Sequence, residues 1–186
     1  MLLLSITIVS CDSTTQETTT AESDSMALAD PTQNELNSNQ NQLLKEILSE
    51  SSTGTVRGIS FGDPVSAVKA NENYEMFEEL PDHLGYTHET DQLETIDIQY
   101  FLTTDGKVNK IEIDVYLNSP QATKELWNSG KHHFTENFGP VNGKATSLNW
   151  EHNDVKVQME DVSKGKDFGL KFIFHPVNKN VFARNK

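Results

Sequence analysis

Asp105-Gly106 lies between two stretches in which apolar and polar residues alternate. Ile96, Ile98 and Tyr100 precede it at every second position, and Ile111, Ile113 and Val115 follow it in the same way. Period-two alternation marks a strand with one buried face. Asp-Gly favours a two-residue type I′ turn, whose central residues both need a positive φ. A β-hairpin is therefore expected over 95–103 and 108–117. A two-residue loop sets Tyr100 opposite Ile111, Ile98 opposite Ile113 and Ile96 opposite Val115. All six then share one face, and a slip by one residue would turn one strand's set away from it.

The rest of the folded part reads as two stretches of about 60 residues, each a helix followed by three strands. In the first, Ile59-Ser60-Phe61-Gly62 reads as a short strand, and Asp63-Pro64 as an N-cap with proline in the first turn. Val65, Val68, Met76, Phe77 and Leu80 supply the apolar side of one or two helices that end at Pro81, and Leu84-Gly85-Tyr86 begins the strands. In the second, Ser119-Pro120 opens a helix whose apolar row is Ala122, Leu126, Phe134 and Phe138, stopped by Gly139-Pro140. Gly130 in its middle should cost about 1 kcal/mol relative to Ala. Strands 146–151 and 155–160 turn at Asn153-Asp154, with Trp150 opposite Val157 and Leu148 opposite Met159. A last strand alternates Phe168, Leu170, Phe172 and Phe174 up to His175-Pro176. The expected fold class is α+β: a two-layer domain over 56–178, a mostly antiparallel sheet with helices on one face, with a short tail at 179–186.

Ahead of that domain, 12–30 is rich in Ser, Thr, Glu and Gln and holds few large apolar residues. Such a segment buries too little to offset its ordering entropy, so 11–55 is expected to be a mostly disordered tether. Leu43, Leu44, Ile47 and Leu48 add a short amphipathic helix around 32–50, started at Asp30-Pro31. Residues 2–9 are apolar but far short of the roughly 20 needed to cross a bilayer. They run into Ile8-Val9-Ser10-Cys11 and then an abruptly polar stretch. This resembles the lipobox of bacterial lipoprotein precursors. In that family an aliphatic residue stands three before the cysteine and a small residue just before it. Lys or Arg also precedes the apolar run there, for which this chain offers only the Met1 amine. The resemblance implies a signal peptide over 1–10, cleavage after Ser10 and a diacylglyceryl thioether on Cys11, the chain's single cysteine. The partner there is a lipid bilayer, and the location the bacterial cell envelope. Gly62-Asp63 through Val68, with the two-half pattern, also resembles small envelope-lipoprotein domains and the tandem-repeat β-lactamase inhibitor proteins. No functional residues carry over from so short a motif.

Chemistry is sparse. One cysteine leaves no disulfide scaffold or CxxC zinc site. The six histidines have no HExxH spacing and read as solvated, so neither a metal nor a cofactor is expected. No GxSxG elbow, phosphate loop or dinucleotide fingerprint occurs, and no catalytic residue is assigned. The glutamates of 72–79 read as a solvated helix face. The formal net charge of −13 argues against nucleic acid. It divides unevenly: 57–117 holds 13 acids and 4 bases, and 118–186 holds 7 acids and 10 bases.

The strand registers also define the sheet face turned away from the helices. It should carry Asp97, Gln99, Phe101, Glu112, Asp114 and Tyr116, then Asn149, Lys156, Gln158, Lys171 and Ile173. Asp97 opposite Asp114 is tolerable only in water. Phe101, Tyr116 and Ile173 have the composition expected of a protein-binding patch, or else belong to the ordinary scatter of exposed apolar residues on a surface. The sequence thus points to a non-catalytic, membrane-anchored protein that binds an envelope protein through Phe101, Tyr116, Asp97, Glu112, Asp114 and Ile173. The alternative is a hydrolase or small-ligand carrier, which a deep apolar pocket with convergent polar groups would favour. A structural lipoprotein without a fixed partner is the third reading.

Overall fold

A computed structural model describes residues 38–49 and 54–178. Residues 1–37, 50–53 and 179–186 fall outside that description, and with them Cys11, the lipobox, most of the tether and the expected helix start at Asp30-Pro31. The described residues form three helices, α1 (Ser38–Leu48), α2 (Val65–Asn71) and α3 (Pro120–Phe138). They also form one antiparallel sheet. Its strands are β1 (Glu75–Leu80), β2 (His83–Glu89), β3 (Thr95–Leu102), β4 (Val108–Leu117), β5 (Asn142–Lys144), β6 (Ser147–His152), β7 (Val155–Asp161) and β8 (Phe168–Pro176). The fold is α+β, as the alternating patterns imply.

The spatial order is β1-β2-β3-β4-β8-β7-β6-β5. Each half therefore contributes a helix and four strands, one strand more than the pattern suggests. The halves meet where β4 pairs with β8, Ile113 opposite Phe172 and Val115 opposite Leu170. Both extra strands lie at the sheet edges, where alternation is weakest. In β1, Met76 pairs with Tyr86 but Glu78 with Gly85, so Phe77 is bulged out of register. The residues expected to extend a helix to Leu80 instead form an edge strand, with Met76, Phe77 and Leu80 exposed.

The central hairpin has the expected register, Ile96–Val115, Ile98–Ile113 and Tyr100–Ile111, by an unexpected route. Gly106 has φ 71°, but Asp105 is not in the left-handed region, so the turn is not type I′. The Thr103 N–H donates to the Lys107 carbonyl at 2.8 Å, and the Gly106 N–H to the Thr103 carbonyl at 2.9 Å. Leu102 then faces Val108 while Phe101 faces Lys110, which leaves Asn109 as the extra residue. A longer loop and a bulge displace the pairing by one residue in opposite senses and cancel.

The core joins Ile96, Ile98, Tyr100, Ile111, Ile113, Val157, Met159, Leu170, Phe172 and Phe174 of the strands to Val68 of α2 and to Leu126 and Phe134 of α3. Leu43, Leu44 and Ile47 of α1 belong to the same cluster, and α1 packs against α3. The packed unit thus starts before 56 and takes in the helix assigned to the tether. Ser119 caps α3 by accepting the Ala122 N–H at 3.1 Å. Asp63 does not cap α2: Pro64 holds that position, and the Asp63 carboxylate accepts the Ser60 N–H at 2.7 Å. Residues 59–62 form a turn with a single bridge, Val56 to Ile59, rather than a strand.

Candidate functional site

The strand residues of opposite parity to the core are half-exposed and form a layer of interlocked charges. Asp97 does face Asp114, and each carboxylate has its own partner. The Thr87 hydroxyl donates to Asp97 at 2.6 Å, and Lys171 from β8 reaches Asp114 at 3.0 Å and Glu112 at 3.4 Å. Lys110 completes the set at 2.8 Å from Glu112. The Asp114 and Glu112 side chains are only 14% and 16% exposed. Burial raises the Asp114 carboxyl above its ordinary value, with Glu112 and Asp97 adding to it against the pull of Lys171. For Glu112 burial acts the same way, but Lys110 and Lys171 outweigh it and hold the carboxyl low. Lys171 thus ties the first half's acids to the second half's strand, and Lys110 neutralises Glu112 from within β4.

The three apolar residues expected on this face do not adjoin. Phe101 lies under Lys110, whose Nζ is 3.6 Å from the ring centre, and beside His83, with ring centres 5.7 Å apart. Ile173 is half-buried between Glu112 and Gln158. Tyr116 is 54% exposed. It pairs with Thr95 and Gly169, six residues along β4 from Phe101's partner Lys110, or about 20 Å at strand spacing.

Two residues of this face escaped the sequence reading. A Cβ on Gly85 would lie 2.5 Å from Phe77 Cζ, so the bulged Phe77 ring lies over Gly85, on the side where His83 meets Phe101. His83 is no freely solvated histidine: its ring contacts Glu78 at 2.7 Å and Asp82 at 3.1 Å. The Glu78 hydrogen bond, joined by that of Asp82, raises its pKa above 6.5 against desolvation. Only the glycine at 85 hinted that a ring would sit there.

Beneath the other face, Glu72 is buried rather than solvated. Arg57 grips it with two bonds of 2.9 and 2.7 Å and also donates to the carbonyls of Glu46 and Ile47 at the end of α1. The Tyr100 hydroxyl donates to Glu72 at 2.7 Å, and the Tyr74 ring lies 4.0 Å below the guanidinium. Every group in this cluster is engaged by another, which suits a fastening better than a reactive centre. The adjoining open groove, about 460 Å³, is lined by polar residues including Gln42, Lys45, Glu46, Asn73 and His88. No group of three His, Cys, Asp or Glu able to hold a metal ion occurs among the described residues. In comparisons with known proteins, no family model, curated protein or solved structure matches the chain.

Proposed function

We propose that the chain is a lipid-anchored envelope protein whose folded domain binds another protein through the half-open sheet face. Phe77, His83 and Phe101 supply an aromatic contact at one end of that face and Tyr116 at the other. Glu112, Asp114, Asp97 and their lysines form the polar ground between them, with Ile173 set into it. The observation that carries this reading is the exposure of Phe77 (50%) and Tyr116 (54%) on a sheet whose opposite side already builds the core. Aromatic anchors in a polar surround are the usual energetic centres of interfaces. The polar lining of the groove beside Arg57 offers little to a small apolar ligand. The anchor rests on the lipobox residues Ile8 to Cys11.

The test is in-cell cross-linking and affinity capture with the native chain, Cys11→Ser, and Phe101→Ala with Tyr116→Ala. The expected outcome is one stoichiometric envelope protein, retained poorly by the aromatic double variant. Labelled palmitate should enter the native chain and not Cys11→Ser. Capture unchanged by the aromatic substitutions overturns the face, and no reproducible capture from a lipidated chain favours the ligand-carrier or hydrolase alternative.

A further inference from the structure

The two ends of the sheet differ in a way that bears on what can add to them. β5 is three residues, Asn142-Gly143-Lys144, without a large apolar side chain. β1 is six residues long, and its sequence, Glu-Met-Phe-Glu-Glu-Leu, alternates nothing cleanly. Among the described residues, no strand neighbours its outer side. Three of the large apolar residues exposed among the described residues, Met76, Phe77 and Leu80, lie on it, and both sides of the strand carry some of them. Met76 faces Tyr86 on the core side, whereas Leu80 faces His83 and the Phe77 ring covers Gly85 on the other. Glu75 precedes them, and Glu78 and Glu79 lie between Phe77 and Leu80, contacted by His83 and by Lys69 of α2 at 2.7 Å each, with Asp82 just beyond.

We infer that the β1 edge accepts a ninth strand, an extended partner segment of about six residues in which Lys or Arg side chains alternate with apolar ones. The outward backbone N–H and C=O groups of an edge strand are a template for main-chain pairing, and the side chains select what pairs. Charge complementarity names the occupant. The half that contains β1 carries 13 acids against 4 bases, so a basic segment is drawn in. A second copy's β1 would set three glutamates against three others and is turned away. Met76, Phe77 and Leu80 give the incoming apolar side chains surface to cover. This surface shares Phe77 with the open face but pairs through the main chain of β1, and it uses none of the side chains of β3, β4 and β8.

The test uses the full chain and three hexapeptide probes: alternating valine and lysine, alternating valine and glutamate, and the lysine peptide N-methylated at every residue so that neither edge can donate. Hydrogen exchange of the Glu75–Leu80 amides is followed for each. The lysine peptide should slow that exchange at least tenfold, and the other two should leave it unchanged. Phe77→Ala with Leu80→Ala should weaken the lysine peptide's binding at least tenfold, as should Glu75→Lys with Glu79→Lys. Phe101→Ala with Tyr116→Ala should not alter it, which separates this inference from the open-face reading. Equal protection by the glutamate or N-methylated peptide, protection elsewhere than β1, or none at all overturns it.

Discussion

Glu72 carries its charge into a site where its side chain is 0% exposed, and Arg57 beside it is 5% exposed. Burial alone would push the carboxyl up. The bonds and charge of Arg57, helped by the Tyr100 hydroxyl and the Tyr74 N–H, outweigh it and hold the carboxyl below 4.5. Removing one partner of such a pair leaves the other buried and uncompensated. Glu72→Gln should therefore cost about 3 kcal/mol of stability at pH 7, read from urea unfolding. The pH dependence has a definite sign. A carboxyl lowered in the folded state contributes stability above its unfolded pKa, and that contribution is lost as pH falls through the folded pKa. Native stability should fall steeply on acidification below about 4.5, and Glu72→Gln should have a shallower acid limb across the same range. An acid limb of equal steepness would remove Glu72 from the account. None of this was visible in the sequence, where Glu72 stands in an acidic run and its partner lies 15 residues earlier. Only the fold brings Arg57 under that run.

Elements were legible to the extent that their own residues decide them. β3, β4, β7 and β8 alternate cleanly because both neighbours and the core constrain them, and their registers follow from the pattern. β1 has a neighbour on one side and a bulge in its middle. Its apolar spacing, Met76, Phe77 and Leu80, therefore mimics a helical stripe. α3 shows a different limit. Gly130 looks like a weak point in a helix, yet it is buried, and a Cβ there would lie 2.7 Å from Met159 Sδ and 3.3 Å from Phe172 Cε1. The glycine lets the helix sit down on the sheet. Gly130→Ala gains about 1 kcal/mol of helix propensity, but overpacking typically costs 1–3 kcal/mol. The variant should be net destabilised, with part of the loss restored by Met159→Ala, since the two sites share one contact. Additive costs in a double-mutant cycle would show that Gly130 is not there for close approach.

At the scale of the molecule, the two halves differ in charge and are joined along β4 and β8, where Lys171 crosses to Glu112 and Asp114. α1 holds both: it packs on α3 of the second half and takes Arg57 and Tyr74 of the first onto its last carbonyls. The composition of the preceding residues hid this, because four apolar residues after a long polar stretch look too few to dock. A chain begun at Val56 loses Leu43, Leu44 and Ile47 from the core, each worth roughly 1.5–3 kcal/mol when fully buried. It also takes from Arg57 the carbonyls of Glu46 and Ile47. Its urea midpoint should fall well below that of a chain begun at Ser38, and equal midpoints would return α1 to the tether.

The placement of β4 and β8 as neighbours also sets an order of assembly. Each is the last strand of its half, so β4 is made with one side open and waits for Phe168–Pro176 before it is paired. At about 5–20 residues per second, the intervening stretch takes several seconds to synthesise. During that interval Ile111, Ile113 and Val115 lie along an unclosed margin in the middle of the future sheet. The piece of chain made last is the one that shuts it. A polypeptide stalled or clipped before Phe168 is thus two unjoined pieces, β1–β4 and β5–β7, each with a sticky border, rather than a smaller version of the same protein.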